Sequence, residues 1–182
     1  MQIVWYTAMS MDGRIADTRG RLNFLQSIAR REEALAEFPD FLRDIDGVLI
    51  GAGTMRWLLD GGHGWPHDDL PTWLVSHDPE LVGRVGATRA PLVQVSGDLG
   101  PALDAMVAAG CTRVWIAGGG QVAAQVLALG RLDEIIVTIA PTALGAGPAL
   151  FDGALEGAAR FALAECRPMA GNAVRLRWLR EA

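Results

Sequence analysis

The sequence predicts an α/β fold whose sheet is largely parallel at its centre and antiparallel at its C-terminal edge. Three observations carry that expectation. Short apolar runs alternate with amphipathic stretches along the chain. Two glycine-rich turns each stand between a buried run and a helix start. The chain closes on two alternating segments around the turn Met169-Ala-Gly-Asn172.

Taken in order, Gln2–Met9 alternates as a first strand and runs straight into Ser10-Met11-Asp12-Gly13-Arg14. Arg30–Arg43 sets Leu35, Phe38 and Leu42 among charges, the pattern of a helix. Gly47–Gly51 is a short apolar run ending on glycine, a buried strand. Thr54–Leu59 reads as a short helix, and Asp60–Asp69 as a loop by its Gly, Pro and Asp content. Thr72–Val75 and Pro91–Val95 read as strands, and Pro101–Ala109 as a helix with proline in its first turn. Arg113–Ala117 is a strand, Gln121–Leu129 a helix and Leu132–Ala140 a long strand. Arg160–Arg167 and Ala173–Leu179 form the closing pair. With 182 residues and no repeat, linker or low-complexity tract, one domain over residues 1–182 is expected.

Composition narrows the function classes. Hydrophobic residues make up 51% of the chain, so it folds rather than staying disordered. A net charge of −5 argues against nucleic acid as a partner. No apolar run reaches the roughly 18 residues of a membrane span, and the N-terminus carries no basic leader, so a cytoplasmic protein away from membranes is expected. Cys111 and Cys166 stand in no metal spacing and are expected as reduced, partly buried thiols. His63 and His67 are four apart, but Gly64 and Pro66 preclude a helix between them, so no metal site is expected. All sixteen basic residues are arginine, a side chain suited to phosphate.

The glycine turns are VLIGAGTM, Val48 to Met55, and VWIAGGGQVAAQVL, Val114 to Leu127. At such a turn the free backbone N–H groups and the helix dipole favour an anion, and glycine lets a phosphate approach without a clashing Cβ. Two of them suggest clamps on the two phosphates of one dinucleotide; the alternative is that they merely permit tight turns, with Thr54 a helix N-cap. Neither is the Rossmann fingerprint, because Arg56 stands where the third glycine should be.

Five stretches together resemble the dihydrofolate reductase-like superfamily, and more closely the reductase domain of the riboflavin-biosynthesis deaminase-reductase and its stand-alone relatives. They are TAMSMDGRIA (7–16), RGRLNFL (19–25), GVLIGAGTM (47–55), WPHDDLPTWLVS (65–76) and residues 116–153, IAGGGQVAAQVLALGRLDEIIVTIAPTALGAGPALFDG. The resemblance implies a three-layer α/β/α sandwich, NADPH across the carboxyl ends of the strands, a small-molecule substrate and a homodimer. It places Ala8 at the nicotinamide carboxamide, Gly53, Thr54 and Met55 at the first diphosphate helix, and Ser76 and His77 near the adenosine ribose. Gly118, Gly119, Gly120, Gln121 and Val122 match the second phosphate turn. Ser10 to Leu25 would be a mobile loop closing over nicotinamide and substrate, with Ile15 on the cofactor and Ser10, Arg14, Asn23 and Phe24 on the substrate.

Three positions depart from the family pattern. Leu25–Arg30 lacks the carboxylate that binds a pterin, which disfavours dihydrofolate reduction. Asn23-Phe24 stands where many stand-alone relatives have Asp-Trp, and Ala52 stands where an arginine often follows the glycine, removing a usual clamp for the 2′-phosphate. Arg56, Ser76 or His77 could substitute, leaving NADPH, NADH and a deazaflavin open. Asp12 is the candidate catalytic acid, orienting substrate or relaying a proton, unless it only makes the bend. The stretch Thr142–Pro148 is either a loop facing the active site or a plain crossover. The leading expectation is an NADPH-dependent reductase resembling 5-amino-6-(5-phosphoribosylamino)uracil reductase. A same-fold reductase of another substrate and a non-catalytic nucleotide-binding module are the alternatives.

Overall fold

A computed structural model describes residues 1–26, 32–153 and 157–181, with backbone alone over 32–36. Eight strands form one sheet: β1 (Gln2–Ser10), β2 (Gly47–Gly51), β3 (Thr72–Val75), β4 (Leu92–Val95), β5 (Arg113–Gly118), β6 (Glu134–Ala140), β7 (Phe161–Met169) and β8 (Ala173–Arg180). The order across the sheet is β4-β3-β2-β5-β1-β6-β8-β7. Strands β1 to β6 pair in parallel, while β8 is antiparallel to both β6 and β7. The helices are α1 (Glu32–Leu42), α2 (Ala52–Asp60), α3 (Leu81–Val85), α4 (Gly100–Ala108) and α5 (Gly120–Ala128).

Side-chain alternation splits the core in two, one part on each face of the sheet. On one face Leu49, Trp73 and Ile116 pack with Leu103 and Met106 of α4 and with Val122, Ala123 and Val126 of α5. On the other, Val48, Ile50, Leu74 and Trp115 pack with Met55 of α2, Leu81 of α3 and Phe38 and Phe41 of α1. This is the three-layer sandwich. Strand β2 is buried over its whole length, as its unbroken apolar run requires of an interior parallel strand.

The boundaries shift in places. Strand β6 starts at Glu134, β7 runs on to Met169, and a 3-10 turn (Ala170–Asn172) joins it to β8. The five-residue α3 and a 3-10 turn at Asn23–Leu25 are too short to leave a periodic signal. Of the helix expected over Arg30–Arg43, residues 30 and 31 lie outside the described residues. Cys111 is buried, whereas Cys166 on edge strand β7 is exposed, not partly buried as expected.

At the amino-terminal ends of the parallel strands, Glu134 is fully buried. Its carboxylate accepts from Arg177 Nε at 2.5 Å, Gln2 Nε2 at 3.0 Å and Arg113 Nη2 at 3.1 Å, tying together β1, β5, β6 and β8. Removing it strands two arginines against the sheet. Glu134→Ala should therefore lower stability by on the order of 3 kcal/mol, measured by urea denaturation.

Candidate active site

Strand β1 lies between β5 and β6, yet the stretch before its buried last residue, Ser10, is only partly covered. Ile3, Val4 and Trp5 are buried, whereas Tyr6 to Met9 are half-buried. A central strand with partly open side chains marks a cleft at the carboxyl end of the sheet. Ala8 stands on that open stretch, paired with Thr138, which in turn pairs with Arg175.

The two glycine turns flank this cleft and touch each other. Both α2 and α5 start from glycine N-caps, Gly51 and Gly119, with no side-chain cap and no acid in the first turn. A Cβ at Gly118 would come within 2.8 Å of Thr54 Oγ1, so that hydroxyl stands between the turns. At Gly53 a Cβ would meet nothing, so the start of α2 is open to an incoming group. The Gly118–Gly119 peptide is cis. Two adjacent uncapped helix starts with a hydroxyl between them suit a diphosphate. Met55 and Val122 offer no side chain to it, because both are buried in the core. The Val122 N–H is also already spent on the Gly119 carbonyl.

The segment Thr142 to Asp152 is a strap rather than a plain crossover. Its Thr142 and Pro148 carbonyls accept the Met11 and Ile15 N–H groups, and Leu150 N–H donates to the Gly13 carbonyl. Asp152 N–H donates to the carbonyl of Gly120. Two glycines make the approach possible: a Cβ at Gly147 would fall 2.1 Å from the Ala16 carbonyl oxygen, and one at Gly120 would fall 2.4 Å from that of Ala149. Within the loop expected to close over the cleft, Ser10 to Leu25, the stretch from Met11 to Ile15 is thus bonded to the strap.

Asp12 is the principal stitch. Its carboxylate accepts from Ser10 Oγ at 2.5 Å, Gly145 N–H at 2.7 Å and Leu144 N–H at 3.0 Å. These bonds, the Ser10 hydroxyl first, pull its pKa from the ordinary 3.8 to about 2. At neutral pH it holds no proton to give. Ser10 is fully buried, and its Oγ also accepts the Arg14 N–H, so its hydroxyl serves the turn. Arg14 donates from Nη1 to the Gly147 carbonyl at 3.1 Å. Phe24 packs on Ala140, Met169 and Ala173, while Asn23 is exposed.

A second polar group lies on the face of Ala8, where sequence reading placed nothing. Arg175 is buried, donates to Thr138 Oγ1 at 3.2 Å, lies 5.2 Å from the centre of the Tyr6 ring, and pairs with Glu37 of α1. Glu37 also accepts from Arg167 at 2.6 Å. The alternation of Arg175 and Arg177 along β8 was the signal available for it. Elsewhere, His67 sits edge-on among Phe38, Trp65 and Trp115, where burial lowers its pKa, and His63 stacks on Trp57.

Comparison with known proteins agrees with this arrangement. Residues 1–174 match the RibD C-terminal domain family. The chain belongs to that family. A riboflavin-biosynthesis structure from Shewanella sp. PV-4 superposes with a TM-score of 0.86 at 25% identity, each chain covered in full. A diaminohydroxyphosphoribosylaminopyrimidine deaminase/5-amino-6-(5-phosphoribosylamino)uracil reductase from Thermotoga maritima gives 0.76 at 15% identity; 99% of this chain covers 56% of that one. A dihydrofolate reductase from Enterococcus faecalis, complexed with NADP(H), gives 0.63 at 14% identity over 100% of this chain and 97% of its own. The last two show the fold, which is dihydrofolate reductase-like, and the family is one of reductase domains. Among the described residues no helix is long and apolar enough to cross a membrane.

Because the Asp12 pKa is depressed, its latch is present at neutral pH and is lost only as pH falls through about 2. Asp12→Asn replaces one acceptor by a donor that cannot serve both N–H groups. Amide exchange at Leu144 and Gly145 should quicken several-fold in that variant at neutral pH, with the sheet amides unchanged.

Proposed function

We propose that this protein is a reductase of the riboflavin-pathway type, reducing the ribosylamino group of 5-amino-6-(5-phosphoribosylamino)uracil with a reduced nicotinamide dinucleotide, NADPH being the form that the family resemblance implies. The observation that supports this most is the half-open end of β1 beside two uncapped glycine helix starts. When bound, the nicotinamide supplies the hydride. The protein's own part is to bind, orient and exclude water. The Gly53–Thr54 and Gly118–Gly120 turns hold the diphosphate by N–H groups and the Thr54 hydroxyl. The open backbone at Ala8 receives the carboxamide. The β1 loop and the strap wall the reacting carbon from solvent, and Asp12 holds those two segments together as a charged group rather than as an acid.

A second reading, a same-fold reductase of another small substrate, is favoured by the state of the loop arginines. Arg14 is bonded to Gly147 and Arg21 to Asp17, so two arginines of the loop after β1 are already engaged and less free to take a substrate phosphate. The expected homodimer belongs to the proposal as well, supported by edge strand β7 with Leu163 exposed, and sedimentation checks it. The deciding assay offers the uracil intermediate with reduced nicotinamide and follows loss of its absorbance. No oxidation with that substrate, but oxidation with another, selects the second reading. Thr54→Val keeps the shape and removes the hydroxyl; it should weaken dinucleotide binding about tenfold by fluorescence titration, with an unchanged melting temperature.

A further inference from the structure

The adenosine end of the cleft carries an arginine that is already occupied. The family resemblance puts the adenosine ribose of a bound dinucleotide near Ser76 and His77, which follow β3, two strands out from β5. There Ser76, His77 and Asp78 follow the strand, and Arg56 projects from α2, whose start lies on the neighbouring strand β2. Arg56 Nη2 donates to Asp78 Oδ2 at 3.0 Å. Asp78 is itself held in place: its other oxygen accepts Glu80 N–H at 3.1 Å, and its own N–H donates to Ser76 Oγ at 3.0 Å. Gln94 Nε2 pins the same turn by donating to the Ser76 and Asp78 carbonyls at 2.9 and 3.0 Å. The nearby Arg84 is paired with Asp60 at 2.6 Å. The chain has no lysine, and Ala52 supplies no cation. The two arginines here are therefore already paired, Arg56 with Asp78 and Arg84 with Asp60.

From this arrangement we infer that Asp78 sets cofactor choice: the adenosine end disfavours a ribose 2′-phosphate, and the protein takes NADH at least as well as NADPH. The inference rests on the reductase reading above and departs from the cofactor that the family resemblance implies. A 2′-phosphate has to draw Arg56 away from Asp78 and then sit beside the uncompensated carboxylate. A 2′-hydroxyl donates to that carboxylate while Arg56 stays in place. Discrimination of this kind works by repelling the wrong ligand as much as by holding the right one. The ion pair is partly exposed, so it adds little to stability and can be altered without unfolding the chain.

The test is the dissociation constants of NADH and NADPH for the purified protein, read by calorimetry without substrate. The wild type should bind NADH as tightly as NADPH or more tightly. Asp78→Asn keeps the bond from Glu80 N–H, frees Arg56, and should move the NADPH-to-NADH affinity ratio about tenfold or more toward NADPH. Arg56→Gln should weaken NADPH while sparing NADH. A wild type that binds NADPH measurably more tightly than NADH overturns the inference and leaves the reductase reading standing. An unchanged ratio in Asp78→Asn does the same. Binding of neither dinucleotide removes the reductase reading, and the inference with it.

Discussion

Strand β1 is hydrogen-bonded to β5 on one side and to β6 on the other, both in parallel. Those two ladders satisfy its backbone, so its second half stays in place with its side chains only partly covered, Tyr6 by Phe38 and Phe41 of α1. That is why Tyr6 to Met9 can stand half-open in the middle of an eight-stranded sheet. The same pairing decides what happens next along the chain. The loop leaving β1 and the strap leaving β6 emerge side by side, because their strands are neighbours in register up to Ser10 and Ala140. Asp12 can then reach the Leu144 and Gly145 amides, although 132 and 133 residues separate them.

Much of the fold was legible because its signals are local. Alternation marked the strands, the run Gly47–Gly51 marked a buried one, and the glycines before α2 and α5 marked their starts. The antiparallel pair β7–β8 followed from two alternating segments around a short turn. Short elements escaped: five residues of α3 make little more than one turn and leave no period to read. At the site, sequence reading named the positions but not their partners. Nothing near Ser10 or Asp12 says that their polar atoms are consumed by each other and by the strap. Nothing near Arg56 says that Asp78, 22 residues on, will hold it. These pairings depend on which strands become neighbours, a property of the whole sheet.

The charged residues divide between two faces of one problem. Arginines on the antiparallel strands β7 and β8 project over a face of the sheet and must find acids there. Arg175 and Arg167 find Glu37 from α1, and Thr138 and the Tyr6 ring complete the surroundings of Arg175. The rung Ala8–Thr138–Arg175 thus runs from the open end of β1 to a buried cation. The polarity on that rung comes from β8 and α1 rather than from the loops. The carboxylate beside that rung, Glu37, is already paired with two arginines.

Glu134 has a further consequence. It ties four strands together at the end of the sheet opposite the cleft, so the ionic anchoring there is independent of the residues around the cleft. Substitutions at the cleft mouth, on exposed loop positions such as Asn23, are then nearly neutral for folding. Drift there is cheap, and a change of substrate need not disturb the sheet. The departures at Asn23, Phe24 and Ala52 are the kind of variation such a division permits: the scaffold tolerates divergence at one rim because its other rim is clamped.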